Sequence, residues 1–242
     1  MTTACFDFGN TRLKCAIFTG EEITEMVELP NDAVELFASL MERIKPPKTI
    51  LSSVIHHNPA IEELLASRSV FHKLSHSTRL NFSTPVGKPE TIGADRLALA
   101  AAAVHFFPNK HNLVIASGSC ITYNFINQEH AFIGGSISPG MEMRFRSMEV
   151  LTAKLPYVER NWNFPLIGYD TKTNLQSGVQ AGIGFEMDGF INAYKSKYDN
   201  FNAVLTGGDT LHFALRLKNR IFADPNFLFK GLYALSEINN CL

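Results

Sequence analysis

Cysteine is scarce and scattered in this chain. The four residues Cys5, Cys15, Cys120 and Cys241 form no CxxC pair and no Cys/His spacing of the kind that holds zinc. No disulfide scaffold is expected; the reading is reduced, mostly buried thiols in a cytoplasmic protein. The first residues run straight into a strand pattern, without the basic start and apolar stretch of a secretory signal. No apolar run approaches the roughly 20 residues that cross a bilayer, so no membrane partner is expected. Net charge is nearly absent as well. The 22 Lys and Arg against 23 Asp and Glu leave −1, which removes any general pull toward nucleic acid. The eight histidines are dispersed and make no metal-ligand set. What is present is a 45% hydrophobic content over 242 residues, enough for one large core or two smaller ones.

The pattern along the chain occurs twice. Residues 3–8, 12–19 and 22–28 read as three short strands, the first two joined tightly through Gly9-Asn10. A helix follows at 32–45, where Val34, Phe37, Leu40, Met41 and Ile44 share a face. A strand at 49–55, a helix at 58–67 and an Ala-rich helix at 93–107, stopped by Pro108, complete the first round. Strand patterns then restart at 112–117, 120–127 and 130–136. Helices are expected at 139–155, 173–196 and 227–238, with a strand at 202–206. The repeat is too long for a solenoid and implies two related domains, 1–111 and 112–242. In open α/β folds ligands sit at strand C-terminal ends, which here predicts a cleft between the copies.

The two glycine turns differ. In "DFGNT" Asp7 sits at the end of a buried strand, where an unpaired charge is costly and calls for a partner. Gly9, Asn10 and Thr11 can present backbone N–H groups and a hydroxyl to phosphate, with Lys14 nearby. The same residues also suit a plain hairpin in which Asp7 caps its own turn. "GADR" places Asp95 and Arg96 in the first turn of an apolar helix behind Gly93. There the helix N-terminus would keep Asp95 ionised and Arg96 could fork onto a carboxylate; simple capping is the alternative. "GGSISPG" (134–140) is a candidate anion site or plain punctuation. In "TGGD", Gly207 and Gly208 suit close approach to a nucleotide or an ordinary strand-to-helix turn. The Met141, Met143 and Met148 group reads as core. Trp162 and Phe164 read equally as pocket lining or a loop anchor.

Taken in order, "DFGNTRLK", "GADR", "SGSCIT", "GGSISPGM", "DTKTNLQSG" and "TGGD" resemble the type III pantothenate kinases over nearly the whole chain. The resemblance implies an α/β fold of two ribonuclease-H-like (actin-like ATPase) domains around a central nucleotide cleft. It implies ATP-dependent phosphorylation of the pantothenate 4′-hydroxyl, the first step of coenzyme A biosynthesis, by a homodimer with its active site near the interface. Asp7 then supports the ATP-bound Mg²⁺, and Gly9, Asn10, Thr11 and Lys14 form the first phosphate loop. Asp95 is the base, and Gly93, Arg96 and Thr171 contact pantothenate. Gly118 and Ser119 belong to the second phosphate turn, and Gly207 and Gly208 lie near adenosine. The family also uses a monovalent cation, K⁺ or NH₄⁺.

The chain departs from the family pattern at that second turn. Where the family reads D-x-G-T, this chain reads Ala116-Ser117-Gly118-Ser119, and Asn124 stands where a further acid is frequent. An alanine methyl supplies neither a ligand oxygen nor charge, which puts the cation site at Ala116 in question. Three outcomes follow: an active kinase with another cation arrangement, a weak kinase, or a non-catalytic homologue. The retained Asp7, Asp95, Arg96 and Thr171 favour a kinase.

Overall fold

The computed structural model describes residues 1–240. The residues pack as two units. One holds Met1–Asn109, Glu129–Ile133 and the segment from Asn226 onward; the other holds Lys110–Gln128 and Gly134–Pro225.

The first unit is built on a five-stranded sheet. Strands β1 (Thr2–Phe8), β2 (Leu13–Thr19), β3 (Glu22–Leu29), β4 (Lys48–Ser53) and β5 (Val70–Lys73) lie in the order β3-β2-β1-β4-β5. β1 runs antiparallel to β2 and parallel to β4. β1 is almost wholly buried because it is central and covered on both faces, whereas β3 keeps its glutamates in solvent. Helices α1 (Val34–Ile44) and α2 (Ala60–Arg68) bury Phe37, Leu40, Met41, Ile61 and Leu65 against Phe6, Phe8 and Cys15. Helix α3 (Ala94–Phe106) is buried along nearly its whole length.

The second unit repeats the plan. Strands β6 (His111–Ser117), β7 (Cys120–Ile126), β8 (Phe132–Pro139), β9 (Phe201–Gly207) and β10 (Phe222–Ala223) lie in the order β8-β7-β6-β9-β10. β6 is antiparallel to β7 and parallel to β9, matching β1 with β2 and β4. Helix α4 (Met141–Leu151) and the helical run from α5 (Thr171–Gln176) through a π-turn at 177–181 into α6 (Gly182–Lys195) cover its core of Ile115, Tyr123, Ile183, Met187 and Leu205. A short α7 (Thr210–Ala214) follows β9.

Three features differ from the sequence reading. The edge strands β5 and β10 were not expected; four and two residues long, they carry too little alternation to show. Of the three methionines read as core, Met141 is buried but Met143 is 45% exposed. The last helix, α8 (Phe227–Asn239), packs against α3, β4 and β1 of the first unit, not within the residues that precede it. It buries Phe227, Phe229, Leu232 and Leu235, and the small side chains of α3 allow the two helices to approach closely. Among the described residues no helix is long and apolar enough to cross a membrane.

Candidate active site

Asp7 lies at the C-terminal end of β1, directly opposite Lys14 on β2 and Ser52 on β4. Ser52 Oγ donates to Asp7 Oδ1 at 3.2 Å. Burial pushes the Asp7 carboxyl up to about 7, and the charge of Asp95 pushes the same way; the Ser52 bond and Lys14 only partly oppose them. Asp7 therefore feels a carboxylate 88 positions away in sequence. The turn beyond β1 is closed by Gly9 N–H donating to the Arg12 carbonyl at 3.1 Å, with Asn10 and Thr11 exposed at its tip. A methyl at Gly9 would meet only the Arg12 carbonyl, at 3.5 Å, so the protein's own packing leaves that side open.

Asp95 and Arg96 occupy the first turn of α3, with Gly93 as N-cap. The Asp95 carboxylate folds back over Gly93: a side chain there would come within 2.5 Å of Asp95 Oδ1. Glycine is thus what lets the carboxylate take this position. The helix start was expected to hold Asp95 ionised. Burial outweighs it and raises the carboxyl above its ordinary range, although the Arg96 N–H and guanidinium pull it down. Burial also lowers Arg96 from its ordinary value, and its guanidinium lies 5.3 Å from the centre of the Phe132 ring.

In the second unit the turn after β6 is tighter. Gly118 N–H donates to the Cys120 carbonyl at 3.0 Å, and Gly140 N–H donates to the Ser119 carbonyl at 3.1 Å, tying "SISPG" to "SGSC". Gly207 pairs with Ser117, which brings the "TGGD" turn beside this hairpin. Gly207 has φ +101°, and a Cβ would stand 2.3 Å from the Ser117 carbonyl, so only glycine fits. Gly208 is exposed, with open space around it. Thr171 is exposed at the start of α5. Its neighbour Asp170 caps that helix, accepting from Thr173 N–H at 2.7 Å while the Thr173 side chain answers the Asp170 N–H at 3.1 Å.

Residues 4–193 match the sequence model of the type III pantothenate kinase family. The chain belongs to that family. A type III pantothenate kinase of Christiangramia forsetii is 39% identical over 235 residues, covering 96% of this chain and 97% of that protein. One from Phocaeicola vulgatus is 37% identical, covering 98% of each. Among solved structures, a conserved Baf family protein of Campylobacter jejuni superposes with TM-score 0.64 at 21% identity, covering 99% of this chain and all of that one. The 2-hydroxyisocaproyl-CoA dehydratase activator from Clostridium difficile, with bound ADPNP, does so at 0.52 and 12%, covering 99% and 94%. These last two likenesses show the fold alone, and agree with the two matching sheets.

Several neighbours of the family positions were not legible beforehand. The sequence pattern places Ser52 in a buried strand and no more; its place beside Asp7 depends on the β1–β4 register. Phe132, which covers Arg96, is 36 positions away in sequence. Arg160 pairs with Asp209 of the "TGGD" turn at 2.7 Å. Trp162 resolves as a loop anchor: it stacks on His212 at 4.3 Å, meets Phe213 edge-on and lies beneath Arg216. Among the described residues no cluster of three or more His, Cys, Asp or Glu could hold a metal by itself.

Proposed function

We propose that this chain transfers the γ-phosphoryl group of ATP to the 4′-hydroxyl of pantothenate, releasing ADP and 4′-phosphopantothenate. The observation that carries the reading is the join of Asp95 and Arg96 on one helical turn with Asp7 close enough to feel the charge of Asp95. Asp95 takes the hydroxyl proton as the new O–P bond forms and the bond to the ADP oxygen breaks. Burial raises its carboxyl above the ordinary aspartate range, which makes it a better proton acceptor than an exposed aspartate. Arg96, beside it and backed by Phe132, forks onto the pantothenate carboxylate, while Gly93 keeps space for the Asp95 side chain.

Asp7 fits a Mg²⁺ brought in with ATP. It is a carboxylate pressed by burial and by a second acid, and only weakly neutralised by Lys14. Bound Mg²⁺ would neutralise phosphate charge; Asp7 would support it, and Gly9, Asn10, Thr11 and Lys14 would bind phosphate oxygens. Gly118 and Ser119 bind phosphate, and Gly207 and Gly208 take the adenosine side. Thr171 belongs to the pantothenate site and is presented across a homodimer interface. The exposed Leu166, Ile167 and Tyr169 just before it support burial against a second copy. The free thiols of Cys5, Cys15 and Cys120 agree with a cytoplasmic enzyme.

The test is incubation with Mg-ATP and pantothenate, products identified by mass. ADP and 4′-phosphopantothenate should appear in equal amounts. Phosphorylation of another hydroxy acid in a panel, with pantothenate left untouched, would overturn the acceptor.

A further inference from the structure

The row of residues that ends the second sheet does not fit the monovalent cation that the family resemblance implies. Thr122 on β7, Ala116 on β6 and Thr206 on β9 lie directly side by side. Cross-strand neighbours in register share a face, so their side chains stand together. The row is neutral. Thr122 Oγ1 accepts from Asn124 Nδ2 at 3.0 Å, and the same amide donates to the Val114 carbonyl at 3.1 Å, so fully buried Asn124 is committed to the sheet. Thr206 Oγ1 is buried and finds no hydrogen-bond partner among the described residues. An orphaned buried hydroxyl is uncommon, because folding strips its water and returns nothing. Here it lies beside the one residue of the row with no polar atom.

We infer that phosphoryl transfer by this chain is independent of monovalent cations, and that Thr206 is the surviving partner of an acid absent at position 116. The first part rests on the kinase reading; the second rests on the sheet alone. Weakly charged ions such as K⁺ are held by several oxygens, and a carboxylate is what the row lacks. Ala116 is only partly buried, so a longer side chain has room. Ala116→Asp would give the Thr206 hydroxyl an acceptor and return one negative charge to the row.

The experiment measures 4′-phosphopantothenate directly by mass in choline, Na⁺, K⁺ and NH₄⁺ chlorides at one ionic strength. The melting midpoint is followed in the same salts, with and without Mg²⁺ and a non-hydrolysable ATP analogue. For the unaltered protein, turnover should change by less than about twofold and the midpoint by no more than about 1 °C across the salts. Stimulation above about tenfold by K⁺ or NH₄⁺, or a K⁺-specific rise of several degrees, overturns the inference. A116D should gain a K⁺ response of about fivefold or more, visible in either readout, and the added Thr206→Val change should remove it. A folded A116D with no K⁺ response in either readout overturns the assignment of Thr206; if A116D does not fold, Ala116→Glu carries that arm. Absence of turnover in every salt defeats the kinase reading separately, and the melting series then decides the cation question.

Discussion

The two hairpins share one topology and differ in chemistry. Across the first sheet the row at the strand ends reads Lys14, Asp7, Ser52; across the second, at matching register, it reads Thr122, Ala116, Thr206. The first row holds a carboxylate whose charge is contested by burial, a second acid, a lysine and a hydroxyl. The second holds no charge and leaves one hydroxyl without a partner among the described residues. The turns differ too: Gly9 closes onto Arg12, whereas Gly118 closes onto Cys120, one residue sooner. A repeated backbone therefore does not carry a repeated site. Strand pairing is set by backbone hydrogen bonds, and Asp7 and Ala116 hold equivalent places in their ladders. Function depends on side chains to which the sheet itself is indifferent.

The largest expected effect lies in the first unit. Asp95→Asn should lower turnover by about 10²–10⁴-fold with the fold intact, because the amide cannot take the proton. Full activity in that variant, measured as phosphopantothenate formed, would remove Asp95 from the chemistry. Next come the two turns set against each other. Asp7→Ala should cost about 10²–10³-fold in turnover, whereas Ser119→Ala on the neutral side should cost less than about tenfold. Equal losses would erase the asymmetry between the two turns.

A smaller effect is expected on stability. Gly207→Ala forces a side chain into φ +101° and against the Ser117 backbone, costing about 1–3 kcal/mol or more. The melting midpoint should fall by several degrees, while Ala at Gly208, where space is open, should change it little. The smallest effect is a pH slope. Asp7 titrates near 7 in the folded protein against an ordinary value of 3.8, so the folded state holds the extra proton between them. Its contribution to stability is therefore fully present below about pH 4 and is lost as pH rises to about 7. Asp7→Asn should flatten that part of the melting-versus-pH curve. Ala116→Asn, in the neutral row, should leave it unchanged.

Much of this protein was legible in its residues. The order of the motifs from "DFGNT" to "TGGD" pointed to the family, and the strand-turn-strand pattern around Gly9 and Gly118 pointed to a duplication. Helix α3 announced itself through its alanines and Pro108, and the alanine at 116, where the first copy carries Asp7, could be read directly. These are local properties: turn chemistry, periodicity and residue type act over a few positions and need no fold to be seen. What only the tertiary structure decided is who stands beside whom. It placed Ser52 and Lys14 on either side of Asp7, Phe132 over Arg96 and α8 on α3. It also reversed the expected push on Asp95, because desolvation depends on all the chain that packs around a carboxyl and a helix terminus is only one part of that environment. And it left Thr206 buried without a partner among the described residues, since a hydroxyl's company is settled by strand register between residues 90 positions apart, not by its neighbours in sequence.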